Sequence, residues 1–169
     1  MKCKVASRNE ERFVTLRKMP LLVSCLLSAL VANVGLAQVV VIEAWVRGTV
    51  PGQRATGAFM QLSSSTDQTL VAASSPAAHF VEIHEMTMER GVMKMRAIDE
   101  LEIRAGQTID LQSGGHHLML HELSAPLKVG DAVEITLTWR DKKTGSKTIQ
   151  KLTAPVKPLT TATGKEHKH

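Results

Sequence analysis

Apolar and polar residues alternate over short stretches of this chain, and turn residues separate the stretches. Residues 132–139 alternate almost strictly, and residues 39–47 form a β-branched run that contains Trp45. Short strands divided by turn signals favour an antiparallel sandwich or barrel over a parallel sheet. No convincing long helical pattern is present. The pattern predicts an all-β domain, with Trp45 and Trp139 facing the core and with strands over residues 39–47, 56–62, 68–73, 80–88, 92–98, 108–111, 116–120, 132–139 and 147–152.

Two of the predicted strands place histidine and methionine two residues apart. Because strand side chains alternate between faces, placing Val81, Ile83, Leu118 and Leu120 in the core leaves the intervening side chains on a solvent face. Those side chains are Glu82, His84, Met86 and Met88 in one strand, and His117, Met119 and His121 in the other. In residues 92–98, exposure of Lys94 and Arg96 would turn Met93 and Met95 inward. An edge strand or flap is therefore expected there.

Residues 1–37 have the pattern of a secretory signal peptide. A basic region is followed by an uncharged apolar run from Pro20 to Ala37, and Val34-Gly35-Leu36-Ala37 places small residues before a cut at Gln38. The alternative is a short membrane anchor. A lipid anchor at Cys25 is disfavoured because the apolar sequence continues beyond it. The predicted organisation is a signal peptide over 1–37, a domain over 38–153 and a flexible tail over 154–169, which implies an exported protein.

Removal of this segment changes the charge and the cysteine content. The first 37 residues hold six Lys/Arg and two Asp/Glu, which leaves 15 basic and 14 acidic side chains, or +1, in the exported chain. A nearly neutral domain gives no reason to expect a nucleic-acid partner. Both cysteines, Cys3 and Cys25, also leave with the signal. The exported domain must therefore be stable without a disulfide.

Histidine and methionine concentrate in residues 79–122. This stretch contains five of the eight methionines and five of the seven histidines, and it contains no cysteine. Thioether sulfur is a soft ligand and imidazole a borderline one, so their combination favours Cu(I) over magnesium or calcium and, less sharply, over zinc. The cluster predicts an exposed Cu(I) site.

Each member of the cluster also has a purely structural interpretation. Methionine in a strand usually fills the core, which is the interpretation preferred for Met60 and an equal alternative for Met86 and Met88. His79 is assigned to solvent, and His116 has the wrong parity to join His117. The tail residues His167 and His169 could form a weak Cu(II) or zinc hook, but a solubilising role is preferred.

The spacing of four residues resembles the motif of periplasmic copper chaperones of the PCu(A)C type. Ten residues separate His84 from Met95, twenty-one separate Met95 from His117, and one separates His117 from Met119. The segments VEIHEM, GVMKMR and GGHHLML fit the same pattern, and the resemblance extends over roughly residues 42–152.

The resemblance implies a cupredoxin-like antiparallel β-sandwich with Greek-key connections. It also implies that His84, Met95, His117 and Met119 bind Cu(I), and that the protein delivers copper towards the Cu(A) centre of cytochrome c oxidase. The implied partners are oxidase subunit II or thiol-bearing copper assembly proteins, and a monomer is expected. Met86 occupies an optional position of the motif, and His121 lies outside it.

Other functions fit the residues less well. A blue-copper electron carrier needs a cysteine ligand, which the exported chain lacks. No nucleophile elbow or HExxH motif is present, so an enzyme is not expected. A periplasmic copper storage or resistance protein would need the same site, and it remains the alternative function.

Overall fold

The computed structural model describes residues 39–158, which form ten β-strands and no helix. The predicted all-β sandwich is confirmed. Nothing in this described range could cross a bilayer as a helix. The strands are β1 (Val40–Arg47), β2 (Ala55–Ser63), β3 (Gln68–Ser74), β4 (Ala78–Glu89), β5 (Val92–Ile98), β6 (Leu101–Ile103), β7 (Thr108–Leu111), β8 (His117–Leu123), β9 (Ala132–Asp141) and β10 (Lys147–Lys157).

The strands follow the order β5-β4-β8-β2-β1-β10-β9-β3-β6, with β7 paired to β2. A contact between β3 and β4, at Ala73 and Val81, brings the two halves of this sheet together, so that it wraps around a core. The described strands pair antiparallel with one exception. The first and last strands, β1 and β10, run parallel, with Val46 opposite Val156.

The core lies on the face predicted from the alternation in β4 and β8. Ile83, Leu118 and Leu120 are buried in it, together with Trp139 and Met60. The structure thus confirms the predicted core positions of these residues. Alternation succeeds here because a one-residue shift in either strand would expose its whole apolar set.

Trp45 is buried, but the prediction that it faces this core is wrong. The register of β1 against β2 shifts between Ile42 and Trp45, and Glu43 adopts a positive φ of 51° within the shift. A bulge inserts one residue into a strand and reverses the facing of every later side chain. Trp45 therefore packs against Phe59 on the opposite face, with ring centroids 4.5 Å apart.

A tight turn fixes the register of β4 against β5. Arg90 and Gly91 both have positive φ, 51° and 80°, and they join Glu89 to its partner Val92. Two residues of positive φ are typical of the type I′ turn, whose twist suits a two-residue hairpin. As expected, β5 is an edge strand. Lys94 and Arg96 are exposed, but Met93 and Met95 are exposed as well rather than turned inward.

Two element boundaries differ from the prediction. β6 has only three residues and was missed, because Leu101-Glu102-Ile103 is too short to show a period. The predicted tail over 154–169 starts too early, because β10 continues to Lys157. Ala154 and Val156 still alternate into the core and are buried. The predicted signal peptide over 1–37 and the tail residues His167 and His169 lie outside the described range.

Candidate metal centre

The sheet register brings the four predicted ligands onto adjacent positions of one face. His84 in β4 pairs directly with His117 in β8. Met119 lies opposite Glu82, and Met95 in β5 lies opposite Met86. Directly paired residues of antiparallel strands project to the same side. On this face the four side chains therefore belong to three successive residue pairs across β5, β4 and β8, namely Glu82–Met119, His84–His117 and Met86–Met95.

The two histidines form the middle of this group. Their ring centroids are 5.5 Å apart and the rings are nearly perpendicular, at 76°. Each residue is 6% exposed, so the prediction that they lie on a solvent face is wrong. Met119 is partly buried, whereas Met95 is 49% exposed. The site is thus closed around its imidazoles and open along β5.

A backbone contact sets the protonation of His117. Its Nδ1 lies 3.2 Å from the carbonyl oxygen of Gly115. A carbonyl only accepts hydrogen bonds, so Nδ1–H donates and the lone pair is left on Nε2. Burial lowers the pKa of His117, although this hydrogen bond acts in the opposite direction. A neutral imidazole with a free lone pair is the form that binds metal.

His84 is oriented by Glu82, which lies two residues earlier on the same face. The His84 Nε2 and the Glu82 Oε2 are 2.8 Å apart. An ionised carboxylate only accepts, so Nε2–H donates, and the hydrogen bond lowers the pKa of Glu82. Nδ1 of His84 is then the lone-pair nitrogen, and it is buried without any hydrogen-bond partner. Buried polar atoms are rarely left unpaired, so this atom fits a role as metal ligand.

An aromatic layer supports His117 from the side of β2. The ring of Phe59 lies 6.2 Å from the ring of His117, and Arg47 covers Phe59 with its guanidinium carbon 5.0 Å from the ring centre. Gly57 makes room for this ring, since a Cβ there would lie 2.6 Å from the Phe59 Cζ. The layer accounts for the burial of His117 on a face that alternation alone assigns to solvent.

The remaining histidines and methionines of the stretch have separate positions. Met88 lies opposite Met93 near the tip of the hairpin, one row beyond Met86 and Met95, and both are exposed. His79 is exposed, as predicted. His116 does not join His117; its Nε2 lies 3.7 Å from Glu85. All four predicted ligands lie on the common face beside these residues.

Several residues that shape the site were not predicted from the sequence. The spacing of Glu82 from His84 places it on the correct face but predicts no contact between the two. The roles of Gly57 and Phe59 depend on the pairing of β2 with β8, which joins residues far apart in the chain. No local pattern encodes that pairing.

Comparison with known proteins identifies the family. A family model described as "Putative lipoprotein LpqE-like" matches residues 39–156, which is most of the chain and all but the last residue of the sandwich. The chain belongs to the LpqE-like family.

A curated relative of this LpqE-like chain is "Putative lipoprotein Lxx21020" of Leifsonia xyli subsp. xyli (strain CTCB07). The two are 34% identical over 103 residues, which is 60% of this chain and 62% of the relative. A protein of Rickettsia prowazekii (strain Madrid E), RP573, is 30% identical over 59% of each. The chain therefore spans less than two thirds of the length of these curated relatives.

Solved structures extend the comparison of the LpqE-like chain. The solution structure of CuI-DR1885 from Deinococcus radiodurans is 35% identical, covers 73% of this chain and 81% of that chain, and has a TM-score of 0.56. The copper-bound PCuAC domain from PmoF2 is 19% identical, covers 71% and 92%, and also has a TM-score of 0.56. The second match supports the fold alone. Together with the family model, these structures confirm the resemblance to the PCu(A)C type.

Proposed function

We propose that this domain is a periplasmic copper carrier that binds one Cu(I) through His84, Met95, His117 and Met119. The main support is the pair of buried imidazoles, each with a free lone pair and flanked by thioether positions on the same face. Two borderline nitrogens and two soft sulfurs form a donor set suited to Cu(I). The solved CuI-bound relative from Deinococcus radiodurans, at 35% identity, adds support for the same cargo.

The position of the thioethers supports release as well as binding. Met95 is half exposed on an edge strand, so a partner can reach the ion from that side. Neutral ligands leave Cu(I) with its full positive charge and hold it less tightly than thiolates do. An acceptor with two cysteines can then take the ion by exchanging one ligand at a time, without forming a disulfide on the carrier.

The proposed acceptor is the Cu(A) domain of cytochrome c oxidase subunit II, or a thiol-bearing assembly protein that supplies it. The proposed location outside the cytoplasm is supported by the signal-peptide pattern and by the lipoprotein names of the family and of its relative. Storage of copper is the competing function, because a store would use the same ligands.

Methionine-to-leucine variants test the ligand set. Replacing Met95 or Met119 by Leu keeps the side-chain volume and typically costs less than ~1.5 kcal/mol of stability. The affinity for Cu(I) should fall strongly, as measured by competition with a Cu(I) chelator under anaerobic conditions. Met93→Leu is the matched control, since Met93 shares the strand, the face and much of the exposure of Met95. Equal losses in Met93→Leu and Met95→Leu would contradict the proposed ligand set.

A transfer experiment separates delivery from storage. Cu(I)-loaded protein is mixed with a reduced apo Cu(A) domain, and the two are separated to find which one holds the metal. Delivery predicts that copper moves without a chelator. Copper that remains on the loaded protein, despite a higher measured affinity of the acceptor, would favour storage.

A further inference from the structure

A second group of metal-binding atoms lies beside the proposed Cu(I) site. The side chains of Glu82, His84 and His121 each place a potential ligand atom within 4.8 Å of the other two. The Glu82 Oε2 lies 2.8 Å from the His84 Nε2 and 3.1 Å from the His121 Nε2. This group contains no sulfur, and it shares only His84 with the proposed Cu(I) ligands.

His121 has an unexplained polar atom in this group. Its Nε2 is buried and lies 3.1 Å from the Glu82 Oε2, in an approach that is poorly aligned for a hydrogen bond. The ring is fixed by Phe80, which stacks on it almost in parallel, at 8° and with centroids 4.7 Å apart. A buried nitrogen held this close to a carboxylate, without a well-aligned hydrogen bond, has the spacing of two ligands of one ion.

We propose that Glu82, His84 and His121 form a site for a borderline divalent cation, with Cu(II) bound in preference to Zn(II). A donor set of two nitrogens and one oxygen suits such ions, and Cu(II) is the strongest binder among the divalent ions of its row. Ions of this class bind nitrogen and oxygen at roughly 2.0–2.2 Å. In the tetragonal arrangement that Cu(II) favours, the oxygen would lie about 2.9 Å from each nitrogen and the nitrogens about 4 Å apart. The two nitrogen–oxygen separations in the structure, 2.8 Å and 3.1 Å, are close to the first of these values, and the ligand atoms of the three residues lie within 4.8 Å of one another.

The two ions would use opposite nitrogens of His84. The proposed Cu(I) site uses the unpaired Nδ1, whereas the divalent site needs the lone pair on Nε2. Binding the divalent ion therefore requires the other neutral tautomer of His84, with the proton on Nδ1 and the lone pair on Nε2. Because a neutral imidazole has one lone pair, the two ions exclude each other at His84. His84 thus binds Cu(II) together with Glu82 and His121, and binds Cu(I) together with the other three proposed Cu(I) ligands.

Titration of the exported protein with Cu(II) in air tests the proposal, with electron paramagnetic resonance reporting the nitrogen ligands. His121→Gln and Glu82→Gln should each weaken Cu(II) binding by at least ~10-fold. Loss of a residue that only hydrogen-bonds to a metal ligand already costs about 10–100-fold in metal affinity, and loss of a ligand should cost no less. Two other variants should leave the affinity for Cu(II) unchanged. One is Met119→Leu, which removes a proposed Cu(I) ligand. The other is His79→Gln, which removes an exposed histidine from the same strand and serves as the matched control.

The reciprocal measurement uses Cu(I) under anaerobic conditions. His121→Gln should retain wild-type Cu(I) affinity, which also shows that the variant is folded, whereas Met119→Leu should lose it. The divalent site is overturned if His121→Gln and Glu82→Gln bind Cu(II) as the wild type does, or if binding follows His79 or the tail residues His167 and His169. Loss of Cu(I) affinity in His121→Gln alongside an unchanged Cu(II) affinity would also overturn it. Cu(I) affinity that survives in Met119→Leu would count against the proposed carrier function and not against the divalent site, whereas weakened Cu(II) binding in the same variant would count against the divalent site.

Discussion

Replacing Gly57 by Ala should destabilise the domain through a single clash with Phe59. The added Cβ would lie 2.6 Å from the Phe59 Cζ and 3.1 Å from its Cε2, closer than carbon atoms approach without displacement. The ring cannot move freely, because Trp45 lies 4.5 Å away on one side and Arg47 covers it at 5.0 Å. The clash must therefore shift several buried groups, including the neighbours of His117.

The size of the effect follows from two opposing terms. Overpacking a buried site costs about 1–3 kcal/mol. Replacing glycine by alanine where the backbone allows it returns about 0.4–1 kcal/mol by restricting the unfolded chain. The free energy of unfolding should thus fall by up to about 2.6 kcal/mol, and by about 1.3 kcal/mol at the middle of both ranges. With a urea dependence near 2 kcal/mol per molar, the unfolding midpoint should fall by roughly 0.6 M, and by at most about 1.3 M.

A double-mutant cycle isolates the clash. Phe59→Leu alone loses the pairing with Trp45 and the contact with Arg47, together worth about 1–2.5 kcal/mol. In Gly57→Ala/Phe59→Leu the ring atoms are absent, so the double variant should be more stable than the sum of the single losses predicts. Gly115→Ala is the matched control, since a Cβ there meets nothing closer than 3.5 Å. The reasoning fails if Gly57→Ala unfolds at the same urea concentration as Gly115→Ala, or if the two substitutions are simply additive.

Three further predictions concern other parts of the molecule. Hydrogen bonds from the backbone N–H and the hydroxyl of Thr144 lower the pKa of Asp141. The stability that the ionised Asp141 adds to the folded state is therefore present above the ordinary aspartate pKa, and it is lost as the pH falls through the lowered pKa of the folded state. Urea unfolding across that acidic range should therefore show a steeper loss of stability in the wild type than in Asp141→Asn; parallel curves would count against this. Mass spectrometry of the exported protein should find Gln38 at the N-terminus, whereas a retained signal or a lipid on Cys25 would refute cleavage after Ala37. Stripping copper with a chelator should leave a β-type far-UV circular dichroism spectrum, because the core contains none of the proposed ligands; an unfolded apo protein would show the opposite.

The sequence predicts the strands better than it predicts how they are arranged. Period-two alternation identified the core faces of β4 and β8, because an error of one residue there would bury polar side chains. It failed at Trp45, since the bulge at Glu43 adds a residue without leaving a local signal. The parallel pairing of β1 with β10 was also unpredicted, because it joins the two ends of the domain.

For the candidate site, spacing identified side chains on one face but not their surroundings. His84 and His117 were expected at the surface, and the structure buries both, with Phe59 beside the ring of His117. Burial of this kind depends on residues supplied by another strand. The choice of lone-pair nitrogen likewise depends on Glu82 and on the carbonyl of Gly115, which only coordinates reveal. The assignment of the four ligands remains a proposal for the binding measurements to test.

Through its parallel pairing with β1, the C-terminal strand β10 links the two parts of the sheet. β10 lies between β1 and β9, so it joins the five strands β5-β4-β8-β2-β1 to the three strands β9-β3-β6. Without it, the described strands of the two groups would be paired with each other only where β3 meets β4, at Ala73 and Val81. These pairings bring together residues from opposite ends of the domain, and such closure is slow to form. A chain cut short within β10 would therefore lose its cooperative folding, although every residue proposed to bind metal would still be present.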